Sequence, residues 1–142
     1  LNRTLFLLNQ ENIRGTRQVA QNEETSLQDR YDELIRLIEE EQLFLDPNLD
    51  RDTIIQKLNT NSAYFNELIK CSQYPNFSWL INAYRINHAK LRLIEGNYEN
   101  TSQVYQGAGF NNRATWNRVF KQHTGMTPST FIEQLKEANK NS

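Results

Sequence analysis

Cysteine is nearly missing from this chain of 142 residues: Cys71 stands alone, which excludes an intramolecular disulfide framework and a thiolate-bound zinc cluster. Histidine is almost as scarce, and His88 and His123 are far apart in sequence, without ligand spacing and without a neighbouring nucleophile. Glycine (5) and proline (3) are few, and strand-forming residues never alternate for long, which argues against sandwiches, barrels and collagen-like chains. The longest apolar run near the N-terminus is Leu5-Phe6-Leu7-Leu8, far short of the roughly 18 residues that span a bilayer. Phosphate-cradling glycine loops, metal motifs, cofactor fingerprints and paired acid–base groups are all missing. The expectation is an all-α, non-enzymatic chain with no catalytic residue, cofactor or metal, in a reducing, cytoplasmic setting. Leu1 rather than Met at the start adds the expectation of a fragment or processed product whose upstream sensor region lies elsewhere.

What is present is polar and unevenly charged. Hydrophobic residues make up only 37%, so the core is small. The net charge of −1 hides a division, because residues 1–41 carry five Arg against nine acids while 42–142 carry eleven Lys or Arg against eight. Between Asn100 and Thr130 the cations Arg113, Arg118 and Lys121 occur with no acid at all. An isoelectric point near 6.2 is not that of a strong non-specific nucleic-acid binder, so any DNA-binding argument rests on where these charges lie.

Residues 1–26 read as a polar linker or frayed helix. From Ser26, Leu27, Tyr31, Leu34, Ile35, Ile38 and Phe44 recur at helical steps with Glu39, Glu40 and Glu41 opposite, predicting an amphipathic helix that stops at Asp46-Pro47-Asn48. A short helix through Ile54, Ile55 and Leu58 begins at Asp50. The turn Asn59-Thr60-Asn61 follows, and then a helix with Phe65, Leu68 and Ile69 inward. Asn76 or Ser78 opens a long helix from Phe77 to Glu95, with Leu80, Ile81, Tyr84, Ala89, Leu91 and Leu93 as its apolar contacts and Gly96 as its stop. Asn100 or Thr101 opens a second helix–turn–helix, whose second helix places Trp116, Val119 and Phe120 inward and ends at Gly125 beside His123. Thr127-Pro128 starts a last helix on Phe131, Ile132 and Leu135, with fraying from Glu137. The aromatic residues have core spacing, which disfavours single-strand stacking.

The run Gly109-Phe110-Asn111-Asn112-Arg113-Ala114-Thr115-Trp116-Asn117-Arg118-Val119-Phe120-Lys121, followed by Gly125-Met126-Thr127-Pro128-Ser129, closely resembles the signature of AraC-type transcription regulators. The likeness covers about residues 43–132, with 27–42 extending it as in members attached to sensors of Bacteroidetes-like type. It implies two helix–turn–helix subdomains of homeodomain-like bundle type, joined by a long linker helix and preceded by a helical connector. The DNA-binding part is expected over 27–142, with the first motif at about 50–71, the linker helix at 77–95 and the second motif at 101–123. The implied partner is double-stranded DNA. This chain departs from the family pattern at Tyr105 (usually Ala), Ala108 (usually Val), Glu67 (often Arg), and in Cys71-Ser72-Gln73-Tyr74-Pro75, which lacks the usual glycine.

A helix about 10 Å wide fits the major groove, and its exposed first turns reach base edges. Arg113, Ala114, Asn117 and Arg118 are therefore the predicted base contacts of the second motif, with Lys121 on phosphate. Ser62, Ala63, Asn66 and Glu67 occupy the corresponding face of the first motif. Asn61 and Ser62 also fit plain helix caps, Lys70 fits either phosphate or solvent, and Tyr84-Arg85 fits a junction between the subdomains. The alternative function is a dimerisation or partner-binding output module, pairing as a homodimer through Leu27, Tyr31, Leu34 and Ile38 of the connector.

Overall fold

The computed structural model describes the backbone of residues 18–141 and side chains from residue 26 onward. Residues 1–17, with the apolar run Leu5–Leu8, lie outside the described part. Among the described residues there are seven α-helices, one 3-10 turn and no strand. The helices are α1 (Gln18–Glu40), α2 (Arg51–Lys57), α3 (Ser62–Lys70), α4 (Phe77–Glu95), α5 (Thr101–Gly107), α6 (Arg113–Thr124) and α7 (Pro128–Lys140), with the 3-10 turn at Leu43–Leu45. They group into two compact units: residues 18–41 with Arg51–Pro75, and Gln42–Asp50 with residues 76–141.

In the first unit α1 and α2 both pack on α3. Leu34 and Ile38 of α1 are fully buried, together with Ile54, Leu58, Phe65 and Leu68 of the helix–turn–helix. Each such side chain contributes about 1.5–3 kcal/mol of transfer free energy. Two of the four residues expected to form a dimer seam are thus already covered within the chain. The helix begins at Gln18, so the described end of the stretch read as a polar linker or frayed helix is helical; Gln, Ala and Glu there have high helix propensity. Arg30 joins α1 to the end of α2, since its guanidinium donates to the Leu58 carbonyl and pairs with Glu33 at 2.7 Å.

α1 ends at Glu40, ahead of the expected proline stop, because Gln42 adopts left-handed backbone (φ 51°) that no α-helix can propagate. Phe44 therefore does not belong to the α1 stripe. It lies in the second unit, stacked on Tyr84 at 5.5 Å and edge-on to His88 at 6.0 Å. Arg85 fixes this segment, its Nε donating to the Phe44 carbonyl at 2.6 Å and its Nη2 to the Asp46 carbonyl at 2.8 Å. The carbonyls that Arg85 bonds belong to the same unit as Arg85 itself. Burial lowers the Arg85 pKa from its ordinary value, and Asp46 opposes that shift.

The second unit is built on α4, whose observed ends, Phe77 and Glu95, coincide with the expected ones. Ile86, Ala89 and Leu93 face Val104 and Tyr105 of α5 and Trp116, Val119 and Phe120 of α6 in one core. Leu91 does not join it and is 60% exposed, because it lies about 200° around the helix from Ala89, whereas Ile86 falls on the inner face. Tyr105, where the resembled signature has a small residue, stacks on Trp116 at 6.0 Å, while Ala108 is fully buried. Trp116 continues the aromatic series to Phe120 at 5.0 Å, and Phe120 meets Phe131 at 5.4 Å. α7 runs on to Lys140 instead of fraying from Glu137, with Asn141 N–H donating to the Glu137 carbonyl.

Candidate nucleic-acid interface

In the second motif a five-residue turn separates α5 from α6, and Gly109 holds its corner at φ 96°. A Cβ there would stand 2.5 Å from the Phe44 carbonyl oxygen and 2.9 Å from Arg85 Nε, so both backbone conformation and space require glycine. The Asn112 side chain then caps α6 by accepting from Thr115 N–H at 2.8 Å. With Trp116, Val119 and Phe120 buried, the 3.6-residue period turns Arg113, Ala114, Asn117, Arg118 and Lys121 outward, and all five are exposed. Among the described residues none of these side chains makes a hydrogen bond or ion pair. Arg113 moreover sits at the positive end of the helix dipole, an arrangement that costs about 0.3–1 kcal/mol unless an anion approaches.

The far end of α6 is closed by Gly125 at φ 83° and by the Thr124 hydroxyl, which lies 2.7 Å from the Phe120 carbonyl and accepts from Met126 N–H at 3.2 Å. His123 lies just before this end of the helix. Its ring packs on Trp79 at 4.3 Å, and burial lowers its pKa.

The first motif repeats the backbone plan. Asn59 supplies the left-handed turn residue at φ 53°, and Asn61 caps α3 through Tyr64 N–H at 2.9 Å. No glycine ends α3; the Ser72 hydroxyl lies 2.7 Å from the Ile69 carbonyl and accepts from Tyr74 N–H at 3.2 Å, much as the Thr124 hydroxyl bonds at the end of α6. Ser62, Ala63, Asn66 and Glu67 share the exposed face of α3, opposite Phe65, Leu68 and Ile69. Here the polar side chains are engaged. Arg51, the first residue of α2, donates from Nη1 to Ser62 Oγ at 3.0 Å and from Nη2 to Asn66 Oδ1 at 2.7 Å, with its guanidinium 5.4 Å above the Phe65 ring. Glu67 pairs with Lys70 at 3.0 Å, an exposed bridge worth little. Cys71 follows, its thiol pKa raised by partial burial and by Glu67.

Sequence reasoning does not single out Arg51, because its partners lie 11 and 15 residues away. The available signal is a cation at the first position of the motif's first helix. A family model described as a helix-turn-helix domain matches residues 54–134, more than half of the chain. The chain belongs to the AraC-type helix-turn-helix family. AraC-type domains of this kind bind DNA in transcription regulation and are not an enzyme family. Searches of curated proteins and of solved structures returned no match. Among the described residues of this AraC-type chain, no group of three His, Cys, Asp or Glu is placed to hold a metal ion, and no helix is long and apolar enough to cross a membrane.

Proposed function

We propose that the chain recognises specific double-stranded DNA by inserting α6, and more selectively α3, into the major groove. The observation that carries this reading is the exposed face of α6, where Arg113, Asn117, Arg118 and Lys121 converge with no acid between Asn100 and Thr130 and no side-chain partner among the described residues. Arg113 and Arg118 have the geometry to bond guanine twice, Asn117 to bond adenine twice, and Ala114 to touch a thymine methyl; Lys121, further along the helix, meets phosphate. Ser62, Ala63, Asn66 and Glu67 form the first reading head. Because successive turns of one duplex face recur at roughly 10 base pairs, a site read by both heads contains two blocks about that far apart. The DNA-binding part spans 27–142, and its setting is the cytoplasm, where the DNA is.

The test is selection of bound duplexes from a randomised pool at near-physiological salt, beside an Arg113→Ala/Arg118→Ala double variant. A sequence block enriched by the parent and relaxed in the variant supports readout by α6. No enrichment by protein shown to be folded sinks the proposal. Affinity should fall steeply with salt, and Lys121→Ala should lower the slope of log affinity against log salt by about 1 without changing base preference.

A further inference from the structure

The same face that differs most between the two motifs assigns a role to Arg51. We infer that Arg51 is a specificity-determining residue of the first head, turning Ser62 and Asn66 into a donor-only surface that selects guanine over adenine. The inference rests on the DNA reading above and extends it to a residue outside the recognition helix.

Donor and acceptor supply decides which base this face can read. An asparagine that reads adenine uses both ends of its amide, Oδ1 accepting from the exocyclic amino group and Nδ2 donating to N7. Arg51 has donors only, so its 2.7 Å contact with Asn66 fixes the amide with Oδ1 toward the guanidinium. One oxygen lone pair is then used, and the other lies beside a cation, which strengthens the oxygen's existing bond and disfavours a competing donor. Nδ2 remains to donate. Ser62 is treated in the same way: its oxygen accepts from Arg51 at 3.0 Å, which directs the hydroxyl proton elsewhere. Glu67 on the same face remains an acceptor, with one carboxylate oxygen 3.0 Å from Lys70 Nζ in an exposed bridge, so the donor-only character belongs to Ser62 and Asn66. The unused hydrogens of Ser62, Asn66 and Arg51 all seek acceptors. In the major groove guanine presents two acceptors, O6 and N7, whereas adenine places a donor next to its N7. Asn117 on α6 has no such neighbour and keeps both amide ends for adenine.

Phosphate oxygens share the acceptor chemistry of guanine, so the experiment must separate them. Randomised-duplex selection is run with the parent chain, Arg51→Ala, Arg51→Lys and Asn66→Ala, each verified as folded by its thermal melt. The expected result is a guanine in the first-head block of the parent. Its preference over adenine should fall about tenfold in Arg51→Ala, within the range of one bidentate contact. It should be only partly restored by Arg51→Lys, whose single ammonium cannot span Ser62 and Asn66 as a planar fork does. Asn66→Ala should relax the same base position, and the block read by α6 should be unchanged in all three.

Three outcomes overturn the inference while leaving the proposed function standing. They are an α6 block without any first-head block, a first-head block unaltered by Arg51→Ala, and a uniform affinity loss with a shallower salt slope but unchanged base preference, which makes Arg51 a phosphate contact. Loss of every block in the parent would instead sink the proposed function itself.

Discussion

In α6 an asparagine caps the helix, three aromatic or branched residues turn inward, and Arg113, Asn117 and Arg118 stand exposed without partners among the described residues. In α3 an asparagine also caps the helix and three apolar residues also turn inward, but Ser62 and Asn66 are held by Arg51 and Glu67 by Lys70. A hydroxyl bonds the end of each of these helices, Thr124 in one and Ser72 in the other. The backbone scaffold is thus repeated, while the hydrogen-bonding capacity left over for a ligand is not. Recognition depends on that remainder: a side chain with both ends available can read a two-sided pattern, and one with a fixed end reads a narrower one.

The first way to break this comparison is through the cores. Trp116 is 2% exposed and touches Tyr105, Phe110 and Phe120, so Trp116→Ala should destabilise the second unit by about 3–5 kcal/mol. Phe65→Ala, at a fully buried position, should act in the same range on the first unit. Denaturant melts followed by circular dichroism check both. A loss of less than about 1 kcal/mol in either variant would show that the bundle is not held by this aromatic packing.

The next effect concerns readout. Arg118→Ala should weaken binding to the selected site by about 1–3 kcal/mol and relax one base position, whereas Lys70→Ala should change affinity little because its ammonium is already paired on an exposed surface. Titrations against the selected duplex and single-base variants give both numbers. Equal effects of the two substitutions would erase the proposed asymmetry between the heads.

Much of this layout is legible in the amino-acid sequence, for identifiable reasons. Helix limits are local chemistry: Asn61, Asn76, Asn100 and Thr127 all cap helices, and Gly96 and Gly125 stop them. The exposed face of α6 follows from a three- and four-residue period around Trp116, Val119 and Phe120. What is not legible depends on tertiary packing or on one unsignalled torsion. Glutamine at 42 carries no mark of left-handed backbone, so Phe44 looks like part of α1 although it packs on Tyr84 instead. Arg51 reaches Ser62 and Asn66 only once α2 lies against α3, and Arg85 finds the carbonyls of Phe44 and Asp46 some forty residues away. Leu91 is a different case, since hydrophobicity alone does not say which side of a helix is covered.

The caps offer a finer comparison, because here the two motifs should behave alike. Asn61 and Asn112 each accept from the N–H three residues on, at 2.9 and 2.8 Å. Replacing either with Ala should cost about 0.5–2 kcal/mol, and the two losses should agree within roughly 0.5 kcal/mol if the scaffolds are equivalent. A larger loss for Asn61→Ala would mean that the Arg51 network depends on the start of α3, linking scaffold and readout in one motif only. Chemical denaturation of both variants, compared with Asn112→Ser as a capping control, decides between these outcomes.

The smallest expected difference is in pH response. Both histidines of the chain, His88 and His123, lie in the second unit. Burial against Trp79 lowers the pKa of His123 below its ordinary value, so the unfolded chain takes up the proton first on acidification. The stability this contributes is complete above the ordinary histidine value of about 6.5 and is lost as pH falls through it toward the lower folded pKa. Because the ring is only partly buried, solvent screens the effect, and a small fall in melting temperature between pH 7.5 and 5.5 is expected. His123→Phe keeps an aromatic ring on Trp79 without the titration and should flatten that part of the pH dependence. Tryptophan fluorescence melts test this directly. Parallel pH profiles for the two proteins would show that the His123–Trp79 stack does not distinguish the protonation states, leaving only the exposed side chains to separate the second unit from the first.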